Sequence, residues 1–318
     1  MTAPTQTGDT RNEAQAEHKH SEALDRGFVW GTRLFALAVA GVLLFIAIQV
    51  LIGAVPAIRE FGLGFLVNST WDPVDETYGA LPMIYGTLVS SAIALLLAFP
   101  IGVGTAIFLS EDFLPKSIRM TFVFAIELIA AVPSVVYGLW GIFVLIPFLK
   151  PIGSWLHENL GWIPLFSTEY AGPGMFPAGI ILTVMILPIL TTIARDSLAS
   201  LPPDLRQASL GMGATRWTTI FRVLIPAAFS GIIGGTMLAL GRALGETLAV
   251  TMLIGNAIEV NVSILEPAST IASLIANQFN EASGLQEASL LYAGFILFLI
   301  TLIVNILAEL IIRQVKQY

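Results

Sequence analysis

The sequence predicts an all-α integral membrane protein with six transmembrane helices, and three observations predict it. Hydrophobic residues make up 56% of the 318-residue chain and charged residues only 12%, more apolar surface than one soluble core of this length can cover. Six stretches reach or approach the ~20 apolar residues needed to cross a hydrocarbon core as a helix. They fall at 33–55, 82–109, 120–148, 177–194, 226–254 and 289–312. The basic residues, finally, gather on alternate connections between these stretches, the asymmetry that orients a membrane-spanning chain.

Ahead of the first stretch lies a tail, residues 1–27, rich in Ala, Glu, Thr, Asp and His. With almost no large apolar side chain it is expected to be disordered. It is too long and too acidic for the basic start of a signal peptide, so the first stretch reads as a retained anchor. Residues 28–318 then form one transmembrane domain, with no polar connection long enough for another. With the N-terminus placed in the cytoplasm, six crossings return the C-terminus there. Arg11, Lys19, Arg26, Arg33, Lys116, Arg119, Arg195, Arg206, Arg216, Arg222, Arg313 and Lys316 are then all cytoplasmic. Only Arg59 and Lys150 lie outside, and Arg242 falls within the fifth stretch. Inverting the chain would put the basic residues on the wrong side, so the charge asymmetry fixes the orientation. The outer connections are acidic instead, carrying Glu60, Asp72, Asp75, Glu76, Glu158, Glu169, Glu259, Glu266, Glu281 and Glu287. Such a face suits a docking partner better than capture of a free anion.

Composition also excludes whole classes of chemistry. There is no cysteine, which removes disulfides, thiolate zinc sites, iron–sulfur clusters and thiol nucleophiles. His18, His20 and His157 are too scattered for a metal site. No GxxxxGK[ST] loop, HExxH or GxSxG pattern occurs, so the chain offers no catalytic residues, no cofactor-binding residues and no ATPase of its own. A passive pore, a secondary transporter, a membrane anchor and a subunit driven by another protein remain.

The cytoplasmic connection 195–225 discriminates among them. Pro202 and Pro203 suit the first turn of a short helix, where a missing N–H costs little. Gly211 and Gly213 suit the turn that ends it. Trp217, Ile220, Phe221 and Leu224 then recur at helical spacing as one apolar stripe, and Pro226 opens the fifth stretch. Two short helices joined by glycines make a compact cytoplasmic knob; the blander reading is a helix lying on lipid.

Gln207-Ala208-Ser209, three residues, Gly213, nine residues, Val223, one residue, Ile225 and Pro226 resemble the EAA signature of type I ATP-binding-cassette importer permeases, EAA-x3-G-x9-I-x-LP. The spacing matches throughout, with Gln207, Ser209, Val223 and Ile225 departing mildly in residue type. The resemblance implies that this loop seats in a cleft of a cytosolic ATPase. Three longer stretches, 78–91 running on to Phe108-Leu-Ser-Glu111, 127–141 and 241–256, resemble the PstC family of phosphate permeases, and the likeness extends over about residues 28–318. It implies phosphate import across the inner membrane, with a second permease subunit of the PstA kind, an ATPase dimer of the PstB kind that holds the ATP and Mg, and a periplasmic phosphate-binding protein of the PstS kind. No cofactor would then be bound by this chain.

Charges within a membrane span cost about 2.5–3.5 kcal/mol each, so they are paired or functional. Glu127 sits in the third stretch and Arg242 and Glu246 in the fifth. Arg242 and Glu246, at i and i+4, are able to pair along one helix face, which would merely lock the helix. The functional reading makes Arg242 a planar fork for phosphate oxygens on the translocation path, with Glu246 holding it when the path is empty. Ser134 and Tyr137 beside Pro133 suggest a gate, and Glu127 is as readily structural as functional. Gly231 with Gly235 and Gly241 with Gly245 are small-xxx-small pairs that favour close helix packing. Pro100, Pro133, Pro147 and Pro188 are expected to kink or hinge their helices. Open alternatives are a permease for another oxyanion or small solute, a secondary transporter, and a non-transporting scaffold, against which Arg242 argues.

Overall fold

A computed structural model describes residues 9–111 and 113–315. The chain divides into two units, Met1–Ile52 and Gly53–Tyr318. Among the described residues six helices are long and apolar enough to cross a membrane: Gly27–Leu66, Leu81–Ser110, Ser134–Leu160, Met175–Ala199, Arg216–Gly245 and Leu285–Gln314.

The first unit is drawn from helix α1 (Asp9–Phe61), whose last residues belong to the second. The helix begins well inside the stretch expected to be disordered. Ala, Glu, Gln and Leu there are strong helix formers, and an apolar span downstream supplies the costly nucleus for extending upstream. Residues 1–8 of that stretch, and Lys316, lie outside the described residues.

In the second unit, α1 gives way to a short 3-10 turn (Gly62–Leu66) and a two-stranded hairpin of β1 (Trp71–Asp72) and β2 (Thr77–Tyr78). Helix α2 (Leu81–Ser110) follows. Its main partner is α6 (Met175–Ala199). Small residues allow this: Ala94 and Ala98 are fully buried, and a Cβ added at Gly102 or Gly179 would press into Leu190 or Ile93. Gly86 is tighter still, since a Cβ there would collide with the Ser269 carbonyl oxygen.

The third expected crossing is not one helix. Residues 116–148 divide at Val132–Pro133 into α3 (Lys116–Ala131) and α4 (Ser134–Trp140), with the long apolar helix running from Ser134 to Leu160 instead of 120 to 148. Proline is the cause. Its ring excludes the preceding residue from helical ψ, and Val132 and Pro133 adopt ψ 128 and 142. Beyond α4 a π-helical turn (Gly141–Leu145) leads into α5 (Ile146–Leu160).

The fifth crossing also differs from its expected bounds. After α7 (Pro203–Gly211), the chain turns and starts helix α8 (Arg216–Thr219), which passes through a second π-helical turn (Ile220–Leu224) into α9 (Ile225–Gly245). Pro226 therefore sits inside a continuous helical run and does not open it. Each π turn ends two residues before a proline, Pro147 and Pro226, where the ring would otherwise crowd the carbonyl four residues back. Pro100 and Pro188 stay within the unbroken helices α2 and α6. At its far end α9 stops at Gly245, Glu246 is extended with ψ 125, and a short α10 (Leu248–Leu253) follows. A loop, α11 (Ile271–Gln278) and α12 (Leu285–Val315) complete the chain.

Three apolar clusters hold this unit. One joins α2, α6, α9 and α10 around Ile181, Leu182, Ile186, Leu190 and Leu253. The second gathers the hairpin and the ends of α1, α2, α11 and α12, with Phe65 stacked on Tyr292 at 4.5 Å and Trp71 donating from Nε1 to Gln278. The third lies where α2 and α6 end and α9 begins, around Leu198, Ile220 and Leu224. Backbone hydrogen bonds tie the start of α6 to the 253–266 segment, Gly174 to Leu253, Met175 to Glu266 and Phe176 to Ile264. These use helix N–H groups that would otherwise be orphaned.

Gly86→Ala is expected to destabilise the protein by ~1–3 kcal/mol, the usual cost of overpacking, because α2 must move off the Ser269 carbonyl. Gly104→Ala, which meets nothing within 4 Å, is expected to change little. Thermal unfolding of the two purified variants in one detergent checks the difference.

Candidate functional site

Two places in the second unit hold the residues that the sequence singles out for coupling and for the path. The first is the turn after α7. Ala214 N–H donates to Ser209 O (3.2 Å) and Gly213 N–H to Leu210 O (2.9 Å), while Gly213 takes φ +85. This is a Schellman ending, which only glycine enters without strain. The expectation that glycines end this helix therefore holds, with Gly213 as the turning residue; Gly211 is still helical. Thr215 then caps α8 by accepting from Thr218 N–H (3.2 Å).

The EAA-like residues divide by exposure. Gln207, Ala208 and Gly213 are exposed, as are Leu210 and Met212. Ser209 is buried instead, with its hydroxyl 2.9 Å from that of Thr219. Val223, Ile225 and Pro226 lie at the π turn and the start of α9. The expected stripe splits in the same way. Ile220 and Leu224 are buried in the third cluster, whereas Trp217 and Phe221 are exposed and extend a row of rings with Phe113. The knob is thus rigid on its inner side and apolar on its outer side.

One side chain anchors it. Arg206, on α7, donates from Nε (3.1 Å) and Nη2 (3.0 Å) to Glu111 Oε1, and from Nη2 to the Leu198 carbonyl (2.9 Å). Glu111 caps the end of α2, and Leu198 belongs to the last turn of α6. Neither the Arg206–Glu111 bond nor the Ser209–Thr219 bond was anticipated. The only signal was a carboxylate and an arginine on connections of the same side, which says nothing of their distance.

The second place surrounds Arg242. An open cavity of about 640 Å³ is lined by Ile189 of α6, Gly234, Met237, Leu238, Gly241 and Arg242 of α9, and Asn305 of α12. Arg242 and Asn305 are its polar lining residues. Asn305 was missed, although a lone amide in the run Thr301-Leu-Ile-Val-Asn-Ile-Leu is a visible departure. Gly231 and Gly235 press on Ser197 and Ile193 of α6, as a packing pair should, but Gly241 and Gly245 meet nothing within 4 Å. Their bare backbone faces the open side of α9.

The other residues singled out on the path are not all brought together. Glu246 is the C-cap of α9, one turn beyond Arg242, and the two side chains form no ion pair. Among the described residues no carboxylate is in ion-pair distance of Arg242. Tyr137 is buried, and its hydroxyl donates to Ile129 O (2.7 Å) across the α3–α4 break. Ser134 opens α4 beside it, half-buried. Glu127 is exposed on α3, a helix with no buried residue. Among the described residues no group of His, Asp or Glu is arranged to hold a metal.

Residues 98–317 match the family described as "Binding-protein-dependent transport system inner membrane component", and the chain belongs to that family. Its fold is that of type I ABC importer permeases: it superposes with a TM-score of 0.61, at 17% identity, on a chain of a bacterial alginate ABC transporter solved with an alginate-bound periplasmic protein, covering 92% of this chain and 97% of that one. Closer in sequence are proteins named phosphate transport system permease protein PstC. The Haemophilus influenzae protein is 44% identical over 291 residues, 90% of this chain and 92% of its own, and that of Mesorhizobium japonicum is 44% identical over 290 residues, 89% and 88%.

Proposed function

We propose that the chain is the permease subunit of an ATP-driven importer that carries inorganic phosphate across the inner membrane. One observation carries the importer reading: between α6 and α9 stands a rigid knob with exposed Gln207, Ala208, Leu210 and Met212, a shape suited to a cleft in a separate ATPase. The assignment of phosphate is supported by the names of relatives matched over about nine-tenths of their length.

In this reading the ATPase dimer binds ATP and Mg, a second permease subunit completes the pore, and a periplasmic phosphate-binding protein delivers the ligand to the acidic outer connections. Both termini lie in the cytoplasm. Arg242 is the anion contact on the path. Its guanidinium has no carboxylate partner among the described residues and faces an open cavity with Asn305 as a further hydrogen-bonding group. A planar fork of N–H donors fits two phosphate oxygens where an ammonium offers only a point charge. Glu246, Ser134, Tyr137 and Glu127 are assigned to the same path in supporting parts.

Three outcomes are expected. In the cysteine-free chain, Ser200→Cys reacts with an impermeant thiol reagent only from the cytoplasmic side and Thr77→Cys only from outside; the reverse pattern would exclude this orientation. Ala208→Asp leaves the protein in the membrane yet abolishes co-purification of the ATPase and phosphate uptake, because a carboxylate buried without a partner in a tight contact is strongly unfavourable. Arg242→Lys and Arg242→Gln each lower uptake of labelled phosphate by about tenfold or more at equal protein level, and adding Glu246→Gln to Arg242→Gln does not restore it. Recovery in that double variant would show that Arg242 only balances Glu246.

A further inference from the structure

We propose that Arg206 is the positioning residue that transmits movement of the α7 knob to the membrane helices, through its ion pair with Glu111. The inference rests on the importer reading above and names the mechanical link that reading requires. A knob pushed by an ATPase moves a pore only if it is joined stiffly to helices that line the path. The short α7 has no transmembrane length of its own and connects to α6 through Ser200, Leu201 and Pro202 alone.

Arg206 supplies the joint. Its side chain, only 23% exposed, meets the Glu111 side chain, 18% exposed, with two guanidinium donors on one carboxylate oxygen. The same group donates to the carbonyls of Leu198 (2.9 Å) and Leu201 (3.4 Å) at the end of α6. One planar cation therefore fastens α7 to the last turns of α2 and α6, two helices packed closely on each other. Positive charge at the C-terminal ends of helices is also favoured by their dipoles. A second link, Ser209 to Thr219, fastens the other end of α7 to the helical run into α9. Movement of α7 is thereby shared between the α2–α6 pair and α9, the helix that carries Arg242. A cavity of about 190 Å³, lined by both Glu111 and Arg206, borders the pair.

Because the pair is mostly withdrawn from solvent, neutralising one partner leaves the other without its counter-charge, so the variants are compared at equal amounts of folded, membrane-inserted protein. The test uses the whole importer in proteoliposomes, with ATP hydrolysis and labelled phosphate uptake measured on the same preparation. Arg206→Gln and Glu111→Gln are each expected to keep the ATPase bound and hydrolysing, while phosphate imported per ATP falls by about fivefold or more, the scale of a coupling free energy between sites. The variant carrying both changes is expected to be no worse than either alone, because the two residues act as one link. An unchanged ratio of import to hydrolysis would overturn the proposal. So would an equal fall in both rates, loss of the ATPase from the variants, or additive losses in the double variant, each of which marks a role in docking or folding. Failure of the unmodified chain to bind an ATPase would count against the importer reading itself, a result separable from all of these.

Discussion

A hydrocarbon solvent provides no partner for a peptide N–H or C=O, and the rest of this structure depends on how that constraint is met where helices break. The chain interrupts its helices at Val132–Pro133 and at Glu246–Thr247, and the pieces beyond the two breaks, α4 and α10, pack on each other. A Cβ at Gly138 would press on Met252 and one at Gly141 on Leu253. Local bonds satisfy the freed groups: Val132 N–H to Ile129 O, Tyr137 N–H to Pro133 O, the Tyr137 hydroxyl to Ile129 O and Glu246 N–H to Ala243 O. Hydrogen bonds within each break therefore take up part of the irregular backbone, and the polar residues assigned to the path, Arg242, Glu246, Ser134 and Tyr137, cluster in sequence around these same interruptions.

Much of the fold was legible because its strongest determinants are local. Apolar length placed five of the expected stretches on long apolar helices and the third only in its second half, and glycine after a short polar helix located the knob, since no other residue enters φ +85 without strain. Helix bounds were less legible where proline acts in more than one way. Pro133 breaks its helix, Pro147 and Pro226 follow π turns, and Pro100 and Pro188 are absorbed without a break. Which of these occurs depends on what packs beside the ring, and that is not a property of the neighbouring residues in sequence.

The candidate site was legible as a set of residues and less so as an arrangement. Arg242 stood out because a cation in an apolar span is costly. Spacing alone allowed its pairing with Glu246, and the side chains do not meet. Asn305, Arg206 with Glu111, and Ser209 with Thr219 join residues far apart in sequence or ordinary in type, and only the packing of helix ends brings them together.

The π turn at Ile220–Leu224 has a consequence for heading. An α-helix advances about 100° per residue, and a π turn accommodates one residue more than an α-helical turn. The direction in which Trp217 and the knob point is therefore offset from the face of α9 that carries Arg242 by the width of that single extra residue. Compass bearing at one end of this run and at the other are set independently, and a one-residue difference in this turn would swing the knob through more than a quarter circle while every apolar position of α9 kept its place.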